Sequence, residues 1–280
     1  MRVLVAGWRL SLVDVESSVT VTVWFCGCNL RCPFCHNWGV AERRGCEWVD
    51  AGELAGELNA AARLVDFVHV TGGEPLLQWE ALLELAKLLD APLSVDTNAT
   101  LVGPLRRLLS SGAVEHVATD LKHPFELVTG LPPAAAARLH SHWHESMRLL
   151  GAAGVRVELR IPVPRWEPFS EWLGGMRREL ERALGELRGA DAYILLYPLL
   201  GPPWTKPRSP GWCARHCNPP ARMIVEALEE ARRVAGEYGV EARLSHTART
   251  VLHHTSAKQL GGAQPRSSSA TPWLSQLRLQ

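Results

Sequence analysis

The chain has 280 residues, 46% of them apolar and 21% charged, a balance that excludes a mostly disordered polymer and allows one large domain or two small ones. Thirty Lys and Arg against 29 Asp and Glu leave a net charge of +1, so no global field directs the chain to nucleic acid or acidic lipid. No stretch approaches 18 uninterrupted apolar residues, and the opening MRVLVAGWRLSLVD lacks the apolar run and cleavage site of a signal peptide; no membrane span and a cytoplasmic location are expected.

In chain order, VTVTVWF (19–25) reads as a strand, 51–64 as a helix and VDFVHV (65–70) as a second strand. An amphipathic helix over 76–90 leads to the strand PLSVDT (92–97), and a short helix near 103–111 leads to VEHVATDL (114–121). Helices over about 134–153, 170–188 and 220–238 lead to strands at 155–163, 192–199 and 240–245. Strand–helix alternation at this spacing builds βαβ units on a parallel sheet. Six or seven units predict an α/β fold, a partial parallel (β/α)6-type barrel with a C-terminal extension. Residues 1–245 form the barrel domain. Residues 246–280 carry Arg249, Lys258, Arg266 and Arg278 with no acid, and are expected to be a flexible basic tail that includes His253 and His254.

Seven cysteines, at 26, 28, 32, 35, 46, 213 and 217, are too clustered and odd in number for a secreted disulfide framework. Cys28, Cys32 and Cys35 follow the first predicted strand with C-x3-C-x2-C spacing. Three thiolates within eight residues can fold around one inorganic centre, and thiolate ligation selects iron–sulfur or zinc. A cubane held by three cysteines keeps one iron open, which marks a catalytic centre. Alternatives are a zinc site that adds His36, with Cys213 and Cys217, and a ferredoxin-like electron carrier. Cys26 is read as structural and Cys46 as an inert thiol. Cys213 and Cys217, bracketed by prolines, are open to a disulfide, a metal half-site or a partner-docking loop. His140, His142 and His144 alternate along a predicted helix and are read as facing three directions, which disfavours one metal site.

The stretch GCNLRCPFCHN, from Gly27 to Asn37, resembles the radical S-adenosylmethionine (SAM) superfamily. Within it the stretch is closest to the activases of glycyl-radical enzymes such as pyruvate formate-lyase and anaerobic ribonucleotide reductase. The resemblance implies a [4Fe–4S] cluster on Cys28, Cys32 and Cys35, with Phe34 and His36 on the cosubstrate side of the loop. It implies that VTGGEPLLQ (70–78) meets the amino group of SAM through Gly72, Gly73 and Glu74. Asp96 and Thr97 of VDTNAT, Asp120 and Lys122 of TDLKH, and Arg160 of ELRIPVP correspond to the family's pocket segments, where carboxylates hold ribose, carboxylate or a bound monovalent cation. The implied chemistry is one-electron cleavage of SAM to methionine and a 5′-deoxyadenosyl radical. The implied partners are a glycyl-radical enzyme as hydrogen donor and a one-electron donor such as flavodoxin or ferredoxin. The rival readings are a radical enzyme acting on a small molecule or RNA, and a non-enzymatic zinc or iron–sulfur module. Three departures stand out: Ala99 replaces a usual Gly, Leu199 stands where a His is common, and the Gly/Pro turn after Asp14 is absent.

Overall fold

The computed structural model describes residues 1–246, 248–250 and 252. Nine strands form one sheet in the order β3-β1-β2-β4-β5-β6-β7-β8-β9. They are β1 (Arg2–Ser11), β2 (Thr20–Phe25), β3 (Glu47–Asp50), β4 (Phe67–Gly72), β5 (Leu93–Asp96), β6 (Val114–Asp120), β7 (Arg156–Val163), β8 (Asp191–Pro198) and β9 (Glu241–Leu244). From β2 to β9 every pairing is parallel, while β1 runs antiparallel to both β2 and β3. The seven parallel strands are the seven expected from the sequence. The sheet curves as an open barrel, with β3 and β9 as its unjoined edges.

Between them run α1 (Trp38–Ala41), α2 (Ala51–Asn59), α3 (Trp79–Ala86), α4 (Val102–Ser110), α5 (Phe125–Val128), α6 (Pro133–Ala153), α7 (Phe169–Glu186), α8 (Pro210–His216) and α9 (Ala221–Glu237). Helices α2, α3, α4, α6, α7 and α9 pack in that order as an outer layer. Their apolar stripes meet the outward strand residues: Leu82, Leu85, Leu105, Leu108, Met147, Leu150, Met176, Leu180, Ala227 and Ala231 are completely or almost completely buried, as are Val68, Val70, Val117, Val157 and Ile194.

Two strands escaped the sequence reading. Strand β1 is bulged between Val5 and Gly7, where Gly7 takes a φ of 126°, so its alternation is broken. Strand β3 is only four residues long and is stabilised by pairing with β1, a contact no local pattern announces. Of the segment assigned to the basic tail, 246, 248–250 and 252 are helical, and Arg249 pairs with Glu16 at 2.8 Å. The rest, including His253 and His254, lies outside the described residues. No described helix is long and apolar enough to cross a membrane.

Candidate active site

Parallel strands deliver their C-terminal ends to one rim, and the sequence-predicted residues gather there. The cysteine loop leaves β2 at Phe25 and is fastened by its neighbours. The N–H of Gly73 donates to the Phe25 carbonyl (2.9 Å) and that of Glu74 to the Gly27 carbonyl (2.7 Å). A Cβ on Gly72 would strike the Phe25 backbone, and one on Gly73 the Gly27 carbonyl. Both glycines were expected to admit a ligand; their missing side chains also admit the start of the cysteine loop.

Glu74 is completely buried. Its carboxylate accepts from the Leu76 N–H (2.9 Å), the Thr97 hydroxyl (2.7 Å) and the Asn98 N–H (2.7 Å). Burial pushes its carboxyl up to about 7, against those three donors, which favour the charged form. Glu74 and Thr97 therefore spend their polar atoms on each other and set the loop after β5. Ala99 in that loop has a φ of 54°, the left-handed conformation a glycine would take without strain. Asn98, which sequence reasoning passed over, donates to Asn29 Oδ1 (2.8 Å) and accepts from Thr100, while Asn29 donates to the Thr100 hydroxyl (2.8 Å). The loop after β5 thus grips the cysteine loop.

Two further supports come from farther along the chain. Arg31 N–H donates to the Thr129 carbonyl (2.9 Å), and Gly130 lies against the Arg31 carbonyl. The N–H groups of Arg208 and Ser209 donate to the carbonyls of Cys35 (3.1 Å) and Pro33 (2.8 Å). Phe34 packs on Trp212 with ring centroids 5.9 Å apart. The proline-bracketed segment around α8 is thus a cover on the cysteine loop.

Cys28, Cys32 and Cys35 are the free cysteines; the other four form the disulfides Cys26–Cys46 and Cys213–Cys217. Cys46 is therefore not an inert thiol: β3 and the loop before it bring it within 6.5 Å, Cα to Cα, of Cys26. Burial pushes the Cys28 thiol up to about 11 and the Cys32 thiol to about 12, and raises Cys35 too; Lys122 works in the opposite direction on all three. Buried thiols that resist ionisation alone become thiolates when a metal centre supplies the compensating positive charge. Three free thiols, an adjoining lysine and no fourth thiol fit a three-thiolate iron–sulfur centre with one open iron.

The rest of the rim is acidic and basic in alternation. Lys122 Nζ donates to Asp120 (2.6 Å), and its side chain is only 8% exposed. Tyr197 reaches the other Asp120 oxygen at 3.4 Å. Arg160 is held through each of its three nitrogens, by Glu158 (2.5 Å), Asp96 (2.9 Å) and the Asp14 carbonyl (2.8 Å). The Thr71 hydroxyl donates to the same Asp96 oxygen as Arg160, at 3.1 Å. Asp96 Oδ1 has no protein partner among these bonds and is available at the rim. His36 is exposed there, in the field of Asp14, Asp96 and Asp120. Leu199 is buried beside the Cys213–Cys217 disulfide, and its apolar side chain offers no polar contact.

Beneath the rim runs a buried polar chain that sequence reasoning missed. His69 and His116 share the Ser94 hydroxyl (2.8 and 2.7 Å), His116 reaches the Tyr193 hydroxyl (3.2 Å), and Tyr193 donates to Glu158 (2.5 Å). Its signal was the two-residue strand period: His69, Ser94 and Glu158 each stand two residues before Thr71, Asp96 and Arg160 and face the same interior.

An open parallel α/β barrel with three free thiols and a charged pocket at its C-terminal rim defines a metal-dependent, ligand-binding barrel protein. Residues 22–173 match the family model described as the Radical SAM superfamily, and the chain belongs to that superfamily. A pyruvate formate-lyase-activating enzyme of Clostridium pasteurianum is 33% identical over 205 residues, covering 69% of this chain and 80% of the relative. A Methanocaldococcus jannaschii protein named for glycyl-radical enzyme activation is 30% identical over 132 residues, 45% of this chain and 53% of the relative. A 7-carboxy-7-deazaguanine synthase of Hyperthermus butylicus is 31% identical over 141 residues, 48% of this chain and 54% of the relative. The chain thus spans about half the length of these last two relatives. The solved structure of native anSMEcpe with AdoMet and the Kp18Cys peptide shares the fold, with a TM-score of 0.54 at 14% identity over 78% of this chain and 60% of that one.

Proposed function

We propose that the chain holds a [4Fe–4S] cluster on Cys28, Cys32 and Cys35 and uses it to cleave SAM reductively, passing the radical to a glycine of a partner enzyme. The observation that carries the reading is the separation of the cysteines: four are paired in disulfides, and the three at C-x3-C-x2-C spacing stay free beside Lys122. When bound, the cluster supplies one electron to the sulfonium S–C5′ bond of SAM. The protein's part is to hold and orient that cosubstrate and keep water from it.

Lys122 has donors left after its bond to Asp120 and suits the SAM carboxylate. Asp96 Oδ1 suits a ribose hydroxyl, and Asp96 and Asp120 together are the acids available to a monovalent cation. Arg160, Glu74 and Thr97 act by positioning, since their polar atoms are already engaged. Phe34 and His36 are assigned to the cosubstrate side of the cysteine loop. An oxygen-sensitive cluster and a protein partner fit a cytoplasmic setting.

The electron donor in this reading is flavodoxin or ferredoxin. A cavity of about 390 Å³ on the cysteine loop is lined by Cys28, Arg31, Arg43, Arg208 and one acid, Glu42, which pairs with Arg208 at 3.6 Å; the net positive charge left on Arg31 and Arg43 suits an acidic carrier. The 7-carboxy-7-deazaguanine synthase relative supports a second reading, a small-molecule substrate.

Anaerobic reconstitution with iron, sulfide and SAM tests the core of the proposal. About four irons per chain and formation of 5′-deoxyadenosine are expected, with both lost when any one of Cys28, Cys32 or Cys35 becomes Ala. Zinc in the purified protein without iron uptake would overturn it. A glycyl-radical signal in an added glycyl-radical enzyme separates the activase from the small-molecule reading.

A further inference from the structure

The outer helical layer carries a second constellation. Helix α6 presents His140 and His144, and α7 presents Glu179 and Glu186. Four residues apart on a helix, His140 and His144 lie on one face, not on separate ones, and only His142 points away. The two Nε2 atoms converge on a single carboxylate oxygen, Glu179 Oε2, at 3.0 Å from His140 and 3.2 Å from His144. The three ligand atoms lie within 4.8 Å of one another. A tetrahedral ion with bonds of about 2.1 Å separates its ligands by roughly 3.4 Å, so the two His–Glu contacts widen slightly and the two imidazole nitrogens draw together to close the set.

His144 is 1% exposed and faces a carboxylate on each side, since its Nδ1 lies 2.7 Å from Glu186 Oε2. A neutral imidazole has one N–H and satisfies only one of them; the other contact sets a lone pair against a carboxylate oxygen. Some cation must stand between His144 Nε2 and Glu179, either a second ring proton or a metal ion. With Nδ1–H given to Glu186, Nε2 presents its lone pair toward Glu179 and His140, the arrangement in which a carboxylate orients a metal-bound histidine. Glu186 is suited to that role because Arg148 (2.8 Å) and Arg182 (3.4 Å) occupy its other oxygen. Phe125 stacks on His140 at 5.0 Å and fixes its ring. His140 and Glu179 are each about a quarter exposed, which leaves a side for an ion to enter and for water to complete the shell.

We propose that His140, His144 and Glu179 bind a divalent first-row transition ion, zinc foremost, with Glu186 orienting His144. Two imidazoles and one carboxylate without thiolate select a borderline ion, and zinc outranks ferrous iron in affinity at such ligands. The ion clips α6 to α7, the helices that follow the strands bearing Asp120 and Arg160. The site is independent of the cluster chemistry and stands or falls separately from it.

The test uses the full chain carrying its iron–sulfur cluster, stripped of loose metal and titrated anaerobically with zinc chloride. A parallel titration uses the Cys28→Ala, Cys32→Ala, Cys35→Ala variant, so that thiols cannot contribute. The expected result is one zinc per chain in both, with a thermal midpoint that rises with zinc concentration. His140→Ala and Glu179→Gln should each abolish the zinc and its thermal shift while the iron content of the cluster-bearing chain stays unchanged. Glu186→Gln should weaken zinc binding about 10- to 100-fold. Failure of the cluster-bearing chain to bind zinc, or zinc binding unaltered in His140→Ala and Glu179→Gln, overturns the proposal.

Discussion

The backbone N–H of Asn98 donates to the Glu74 carboxylate over 2.7 Å, which makes the turn after β4 and the loop after β5 one unit. The same unit grips the cysteine loop through Glu74 N–H on Gly27, through Asn98 on Asn29 and through Thr100, which accepts from Asn29. Gln at position 74 keeps one acceptor oxygen but turns an NH2 toward a donor. Glu74→Gln should therefore destabilise the apoprotein by about 1–3 kcal/mol in urea unfolding and weaken SAM binding, because the loop that bears Asp96 loosens. Wild-type stability in the variant would show that Glu74 does not organise this rim.

His116 makes acid sensitivity testable. Burial pushes its ring down to about 4, opposed by Glu158 and reinforced by His69, Arg160 and Arg156. The folded state therefore binds fewer protons here than the unfolded chain, whose histidine titrates near 6.5. This contribution to stability is complete above about pH 6.5 and is lost as pH falls through 4. It amounts to at most about 3 kcal/mol. Unfolding of the cluster-free chain at several pH values, wild type against His116→Gln, should give a shallower decline in the variant. Equal declines would assign the sensitivity to other groups.

The parallel scaffold was legible because each βαβ unit carries its own periodicity, and the cysteine loop because its spacing is local. What the sequence hid was non-local. Cys46 meets Cys26 only because β3 pairs with β1. The Gly72–Gly73 pair looks ligand-directed in sequence, yet the tight fit to Phe25 and Gly27 is set by strand register. Arg160 sits at the expected strand position, but each of its three nitrogens already donates to an oxygen brought by a different part of the chain. His140 and His144 were separated by reading alternation where the helical period puts them together.

The basic cavity beside Cys28 yields a kinetic expectation. Charges at the edge of an encounter surface alter association rate and its salt dependence more than the chemistry that follows. Arg31→Glu with Arg43→Glu should slow cluster reduction by flavodoxin about tenfold or more at low ionic strength and flatten the salt dependence. Reduction by dithionite, a small anion needing no docked partner, should retain its yield. Stopped-flow absorbance distinguishes the two, and an unchanged flavodoxin rate would remove this face as the docking surface.

The Cys213–Cys217 bridge bears on the cover of the cysteine loop and not on its thiols. Both cysteines are almost fully buried with Leu199, next to Phe34, Tyr197 and Trp212. Gly201 is seated so closely that a Cβ there would lie 2.8 Å from Cys213 Sγ. Just before α8, Arg208 and Ser209 hold the Cys35 and Pro33 carbonyls. Changing both cysteines to Ser frees the last turn of α8 but leaves those backbone bonds able to form. The expected cost is about 2 kcal/mol of stability, the scale for opening a short bridged loop. Iron content and uncoupled SAM cleavage should stay near wild type, while radical transfer to the proposed partner enzyme should fall if that partner docks against this cover. Iron analysis, 5′-deoxyadenosine yield and the partner's radical signal measure the three separately. Loss of iron in the double variant would make the bridge part of the cluster's own support and overturn the division argued here.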